Sequence, residues 1–150
     1  MLSPLIVIPL SCALLIATYT DIRWRLIYNW LTLPGIAFFL IVYALSKPAF
    51  LGSSLLGVVL LGGGSLLLAL ISNGQLGGGD IKLFALIGAA LGWQAGLLIT
   101  ICTYLLAGCT ALLVVLVCRL LPGKKSIKEL PMAPFITAGT ALFFLFILRW

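Results

Sequence analysis

The chain carries three acidic side chains in all: Asp21, Asp80 and Glu129. Glu129 lies among Lys124, Lys125 and Lys128 and reads as a solvated, charge-balanced surface residue. The other two border apolar runs. Asp21 closes one, and Asp80 opens another directly after Gly77-Gly78-Gly79. An ionisable side chain at membrane depth is costly unless it lines a wet cavity, so function is the default reading for both. The bland readings are a helix N-cap for Asp80 and an interfacial ion pair of Asp21 with Arg23 or Arg25. If the two acids meet across helices, mutual repulsion and partial desolvation make them share one proton. The ionised member then deprotonates a water while the protonated member polarises a peptide carbonyl. That is aspartyl-protease chemistry. It needs no metal, cofactor or histidine, and the chain has no His. Such a pair titrates as a unit, so no separate roles are assigned.

The elements that must position these acids are membrane spans. Of 150 residues, 63% are hydrophobic and 8% charged, with a mean hydropathy of +1.31. A soluble domain carries about 25% charged residues, so a water-soluble globule is excluded, and disorder with it. Punctuation divides the chain into six apolar segments, roughly 4–20, 30–46, 51–72, 81–91, 95–118 and 133–149. The expected fold is therefore all-α: a polytopic transmembrane bundle of about six spans forming a single domain over residues 1–150. The fourth segment is short, about half a crossing. Fused with the fifth it would be about twice the membrane thickness, which predicts a turn near Gly92 to Gln94.

Charge sets the expected orientation. Arg23, Arg25, Lys82, Arg119, Lys124, Lys125 and Lys128 fall on one side, and Lys47 and Arg149 on the other. The positive-inside rule makes the first side cytoplasmic, with both termini outside. The net charge of +6 then reads as topology information and attraction to anionic lipid rather than as nucleic-acid binding. The first run lacks a basic flank and reads as a retained span rather than a signal peptide. Cys12, Cys102, Cys109 and Cys118 form no C-x-x-C pair and read as small apolar residues. Trp24, Tyr28, Trp30, Trp93 and Trp150 lie near span ends, as an interfacial belt. Gly62-Gly63-Gly64 suggests close helix contact. Gly77 to Gly79 would let the backbone turn sharply and approach a substrate strand; a dinucleotide loop would need a soluble βαβ unit around it. Lys82, two positions from Asp80, is expected to point away from it on a helix.

At these residues the chain resembles the type IV prepilin peptidases, which belong with the G-x-G-D intramembrane aspartyl peptidases. Asp21-Ile22-Arg23-Trp24-Arg25-Leu26-Ile27-Tyr28-Asn29 is similar to the family's D-x-R-x-R-x-I-P-N stretch. Gly77-Gly78-Gly79-Asp80-Ile81-Lys82 is similar to its G-x-G-D-x-K, and Pro131-Met132-Ala133-Pro134-Phe135 to its P-x-G-P-F stretch. Tyr28 stands where the family usually has Pro, and Ala133 where it usually has Gly. The resemblance implies Asp21 and Asp80 as the catalytic pair, with Asn29, Pro131 and Pro134 shaping the loops around them. It implies a prepilin or pilin-like substrate, cut at the cytoplasmic face between a short basic leader and an apolar helix. Without paired C-x-x-C motifs, the chain is similar to the short, peptidase-only members found in tight-adherence pilus systems and among archaeal preflagellin peptidases, and no methylation of the product is expected from it.

Two other classes fit some of the same features. A small proton-coupled transporter would also place acids in the membrane, but midplane carboxylates or inverted repeats would mark it and neither is visible. A non-catalytic subunit of a secretion machine would tolerate Asn at either acid. The basic stretch 124–128 would suit a docking loop as well as a lipid-facing one.

Overall fold

The structure, a computed structural model, describes residues 4–72, 77–120 and 132–149. Glu129, Pro131, Trp150 and the basic stretch 124–128 lie outside the described residues. Five helices follow in order: α1 (Pro4–Trp24), α2 (Asn29–Ser46), α3 (Pro48–Ile71), α4 (Gly78–Leu120) and α5 (Ala133–Arg149). The first four are long and apolar enough to cross a membrane, and α5 contributes a shorter apolar stretch, Ala133–Phe146. Lipid-facing positions are apolar, with Leu15, Leu45, Leu67, Leu112 and Phe146 all exposed. A helical membrane bundle is the architecture.

The expected turn is present. α4 would be ~65 Å long if straight, but Gly92 breaks it with φ 78 and ψ 175, a conformation nearly confined to glycine. The arms 78–91 and 93–120 fold back on each other, and Phe84 of the first stacks on Tyr104 of the second with ring centroids 5.7 Å apart. The first arm is the core of the bundle. Leu83, Phe84, Leu86, Ile87, Ala89 and Ala90 are all buried. A helix apolar on every side is one surrounded by others, which is why this segment can be half a span long.

Between helices in lipid, close packing and polar contacts replace the hydrophobic effect. α3 runs antiparallel to the first arm of α4. Their closest approach is Gly57 against Gly88, where a Cβ on either would strike the other's backbone. Further along, Gly62 meets Ala85, and a Cβ there would lie 3.0 Å from Ala85 Cβ. Gly63 and Gly64 face open space, so only one glycine of that triplet makes the contact its sequence suggests. A π-helical turn, Val58–Gly63, lies in this stretch of α3. The break at Gly92 also frees carbonyls at the end of the first arm. The Tyr43 hydroxyl donates to Ala90 O at 2.5 Å, and the Ser54 hydroxyl donates to Ala89 O. Both carbonyls would otherwise be unsatisfied in hydrocarbon.

Candidate active site

Asp21 is three residues from the end of α1 and Asp80 is the third residue of α4. Both line one cavity of about 350 Å³ at one end of the bundle, together with Arg25, Leu26, Ile27, Asn29, Gly77, Gly78, Gly79 and Lys82. Asp21 is 9% exposed and Asp80 7%. The elements that sequence reading separates by about sixty residues thus meet because the first arm of α4 sits at the centre, with its N-terminus beside the C-terminus of α1.

Each acid is held by backbone at a helix start. The Ala133 N–H, in the first turn of α5, donates to Asp21 Oδ2 at 3.0 Å across 112 positions of sequence. Below it the Thr18 and Thr137 hydroxyls meet at 2.5 Å, fixing α1 against α5. The third motif therefore serves the first: Met132 to Phe135 begin the helix whose N-terminus receives Asp21. Met132 O accepts from Phe135 N–H at 3.0 Å, and Pro134 lies within the first turn, where its missing N–H is harmless. Ala133 is fully buried yet keeps its N–H on Asp21, so the alanine is compatible with this arrangement. Asp80 is not the N-cap. Gly77 accepts the first bond of the helix, from Asp80 N–H at 3.0 Å, and its own N–H is within hydrogen-bonding reach of the Asp80 carboxylate. This is one half of a capping box.

The glycines act by size rather than by turning. Neither Gly78 nor Gly79 has positive φ. A Cβ on Gly79 would lie 2.8 Å from Ile27 Cβ, and one on Gly77 would lie 3.0 Å from Asp80 Oδ2, while Gly78 meets nothing within 4 Å. Gly79 lets the loop after α1 lie directly on the start of α4. The one described non-glycine residue with positive φ is Arg25, at 52°, where α1 ends and Arg25 N–H donates to Asp21 O at 2.9 Å. A left-handed arginine is uncommon, and it sits on the rim of the cavity.

Lys82 does not turn away from the site. It lines the same cavity, and its Nζ donates to Asn29 Oδ1 at 2.5 Å. A long, flexible side chain reaches around the helix start in a way that spacing arguments for short residues miss. This bond ties the last residue of the first motif to the last of the second. Among the described residues no cluster of three or more His, Cys, Asp or Glu could hold a metal. The described cysteines, Cys12, Cys102 and Cys109, are free.

Two buried acids, brought from separate helices onto one cavity inside an apolar bundle, define a polytopic membrane protein with a two-carboxylate site. Residues 8–116 match the type IV leader peptidase family, and the chain belongs to that family. It is 34% identical over 140 residues to the prepilin leader peptidase/N-methyltransferase of Bacillus subtilis (strain 168), covering 89% of this chain and 52% of that protein. The chain spans about half the length of that curated relative. The family match includes Asp21, Asp80 and the three glycines, and stops before Pro131 and Pro134. No solved structure matches the chain.

Proposed function

We propose that the chain is a membrane-embedded aspartyl endopeptidase that removes the leader from prepilin or pilin-like precursors. The observation that carries this reading is the convergence of Asp21 and Asp80 on one cavity at one end of the bundle. One carboxyl, ionised, takes a proton from a water that attacks the scissile carbonyl. The other, protonated, donates to the carbonyl oxygen; as the tetrahedral intermediate collapses, the first carboxyl gives the proton it took from water to the leaving amine, the C–N bond breaks, and the second carboxylate takes a proton back from the intermediate's hydroxyl. No metal or cofactor enters. The cavity volume is within the usual range of binding sites, enough for a short extended stretch of substrate. A precursor whose apolar helix stays in the bilayer would present its cut site at the interface. Arg23, Arg25 and Lys82 mark the site's end of the bundle, which the positive-inside rule makes cytoplasmic. The chain then sits in the prokaryotic cytoplasmic membrane, cuts on the cytoplasmic side and serves pilus biogenesis.

The test is a gel-shift cleavage assay with purified protein in lipid and a precursor encoded nearby. Wild type cleaves, while Asp21→Asn and Asp80→Asn do not, with thermal unfolding showing that both remain folded. Cleavage surviving either substitution would refute the pair mechanism. Failure of the wild type on every pilin precursor offered would refute the peptidase reading, and proton flux into liposomes would then test a transporter.

A further inference from the structure

Tyr104 carries the one buried side-chain polar atom among the described residues that has no hydrogen-bond partner, its hydroxyl oxygen. Such a group in an apolar interior is costly and calls for a reason. Its place supplies one. Asp80 and Tyr104 lie twelve residues before and twelve after Gly92, on the two arms that fold back there. At equal rise per residue they stand level, about 18 Å from the turn. The Tyr104 ring stacks on Phe84, tilted by 27°, and Phe84 is the residue one turn after Asp80, on the same face of the arm. The Asp80 carboxylate is within electrostatic reach of the Tyr104 hydroxyl. Phe84, 1% exposed, fixes the ring by this stack and leaves its O–H without a partner.

We propose that Tyr104 is a positioning residue of the site, whose hydroxyl donates to the Asp80 carboxyl in the membrane and fixes that side chain for the reaction. The role rests on the peptidase reading for its kinetic consequence, but not for the contact itself. Hydrogen bonds of this kind are often long in substrate-free sites and tighten as the site is occupied. Asp21 approaches Asp80 from α1, and Arg25 and Lys82 line the cavity mouth. Tyr104 is the donor that reaches it from the second arm of α4.

Tyr104→Phe removes only the oxygen and keeps the stack on Phe84. If the hydroxyl serves Asp80, kcat falls on the order of 10²-fold, the scale of a misplaced reacting group, while KM stays near the wild-type value. A thermal double-mutant cycle with Asp80→Ala reads the contact without any substrate. Tyr104→Phe lowers Tm in the wild-type background and no longer does so when Asp80 is Ala. The opposite result overturns the proposal: Tyr104→Phe raises Tm equally in both backgrounds, as removal of an orphan hydroxyl should, with kcat unchanged. If the wild type cleaves no precursor, the peptidase reading falls and the Tm cycle still decides whether Tyr104 and Asp80 are coupled.

Discussion

Gly79→Ala is the perturbation that best separates packing from backbone freedom at the site. The added methyl would lie 2.8 Å from Ile27 Cβ, 2.9 Å from Cδ1 and 3.0 Å from Cγ1. Comfortable carbon contacts are about 3.5–4.0 Å, so the loop and the start of α4 must separate by roughly 1 Å. The nearest atom of Ile27 is its Cβ, which no rotamer moves, and the branched side chain is stiff at χ1. The strain is therefore carried by backbone, next to Asp80. Overpacking of this kind costs about 1–3 kcal/mol, and a displacement of about 1 Å at a reacting group costs on the order of 10²-fold in rate. In the precursor cleavage assay, Gly79→Ala loses about that factor in kcat/KM. Gly78→Ala, with nothing within 4 Å, cleaves as wild type and gains a little stability from better helix propensity. Ile27→Gly, which removes the offending Cβ, restores part of the Gly79→Ala activity; Ile27→Ala does not, because it keeps that atom. Equal damage from Gly78→Ala and Gly79→Ala would refute the reasoning, since it would mean that the triplet is needed for its flexibility against substrate.

Three other outcomes follow from the same geometry. Tyr28→Pro is neutral or stabilises by up to about 1 kcal/mol, because Tyr28 already has φ −73, within the range proline fixes; thermal unfolding in detergent checks this. Gly92→Ala lowers stability by at least about 2 kcal/mol, since φ is 78 and the new Cβ would lie 2.6 Å from Ser53 Oγ; the readout is Tm. Asp21→Ala is less stable than Asp21→Asn by about 1 kcal/mol, because Asn keeps an oxygen for the Ala133 N–H and Ala does not, although neither variant cleaves.

The fold was legible where it is written in local composition. Six apolar segments, the half-length fourth one and the reversal after it can be read from hydropathy and from Gly92. The two acids and the glycines beside Asp80 could be picked out because ionisable groups are so rare in this chain. What could not be read is what depends on distant partners. Nothing near Asp21 indicates that Ala133 will donate to it, because the contact needs α5 to return to α1. The pairing of Lys82 with Asn29 was hidden by a rule about helical spacing that ignores the reach of a lysine. The close helix crossing is made by Gly57 and Gly88, two isolated glycines, rather than by the conspicuous triplet at 62–64. Tyr104 was one aromatic among many until the turn at Gly92 set it level with Asp80.

The arrangement also explains how so apolar a chain can bury two carboxylates. Each faces the start of a helix, where unpaired N–H groups and the positive end of the helix dipole are available. Asp80 uses the helix to which it belongs, and Asp21 borrows the start of α5. The backbone thus offsets part of the cost of burial that side-chain cations would otherwise have to meet. Such donors are fixed by the fold, so they hold the acids at one geometry without filling the cavity between them. That makes the third motif part of the site although it carries no acid. A helix start that slid by one residue would present a different N–H to Asp21, and Pro134, locked in φ and unable to donate, is suited to set where α5 begins.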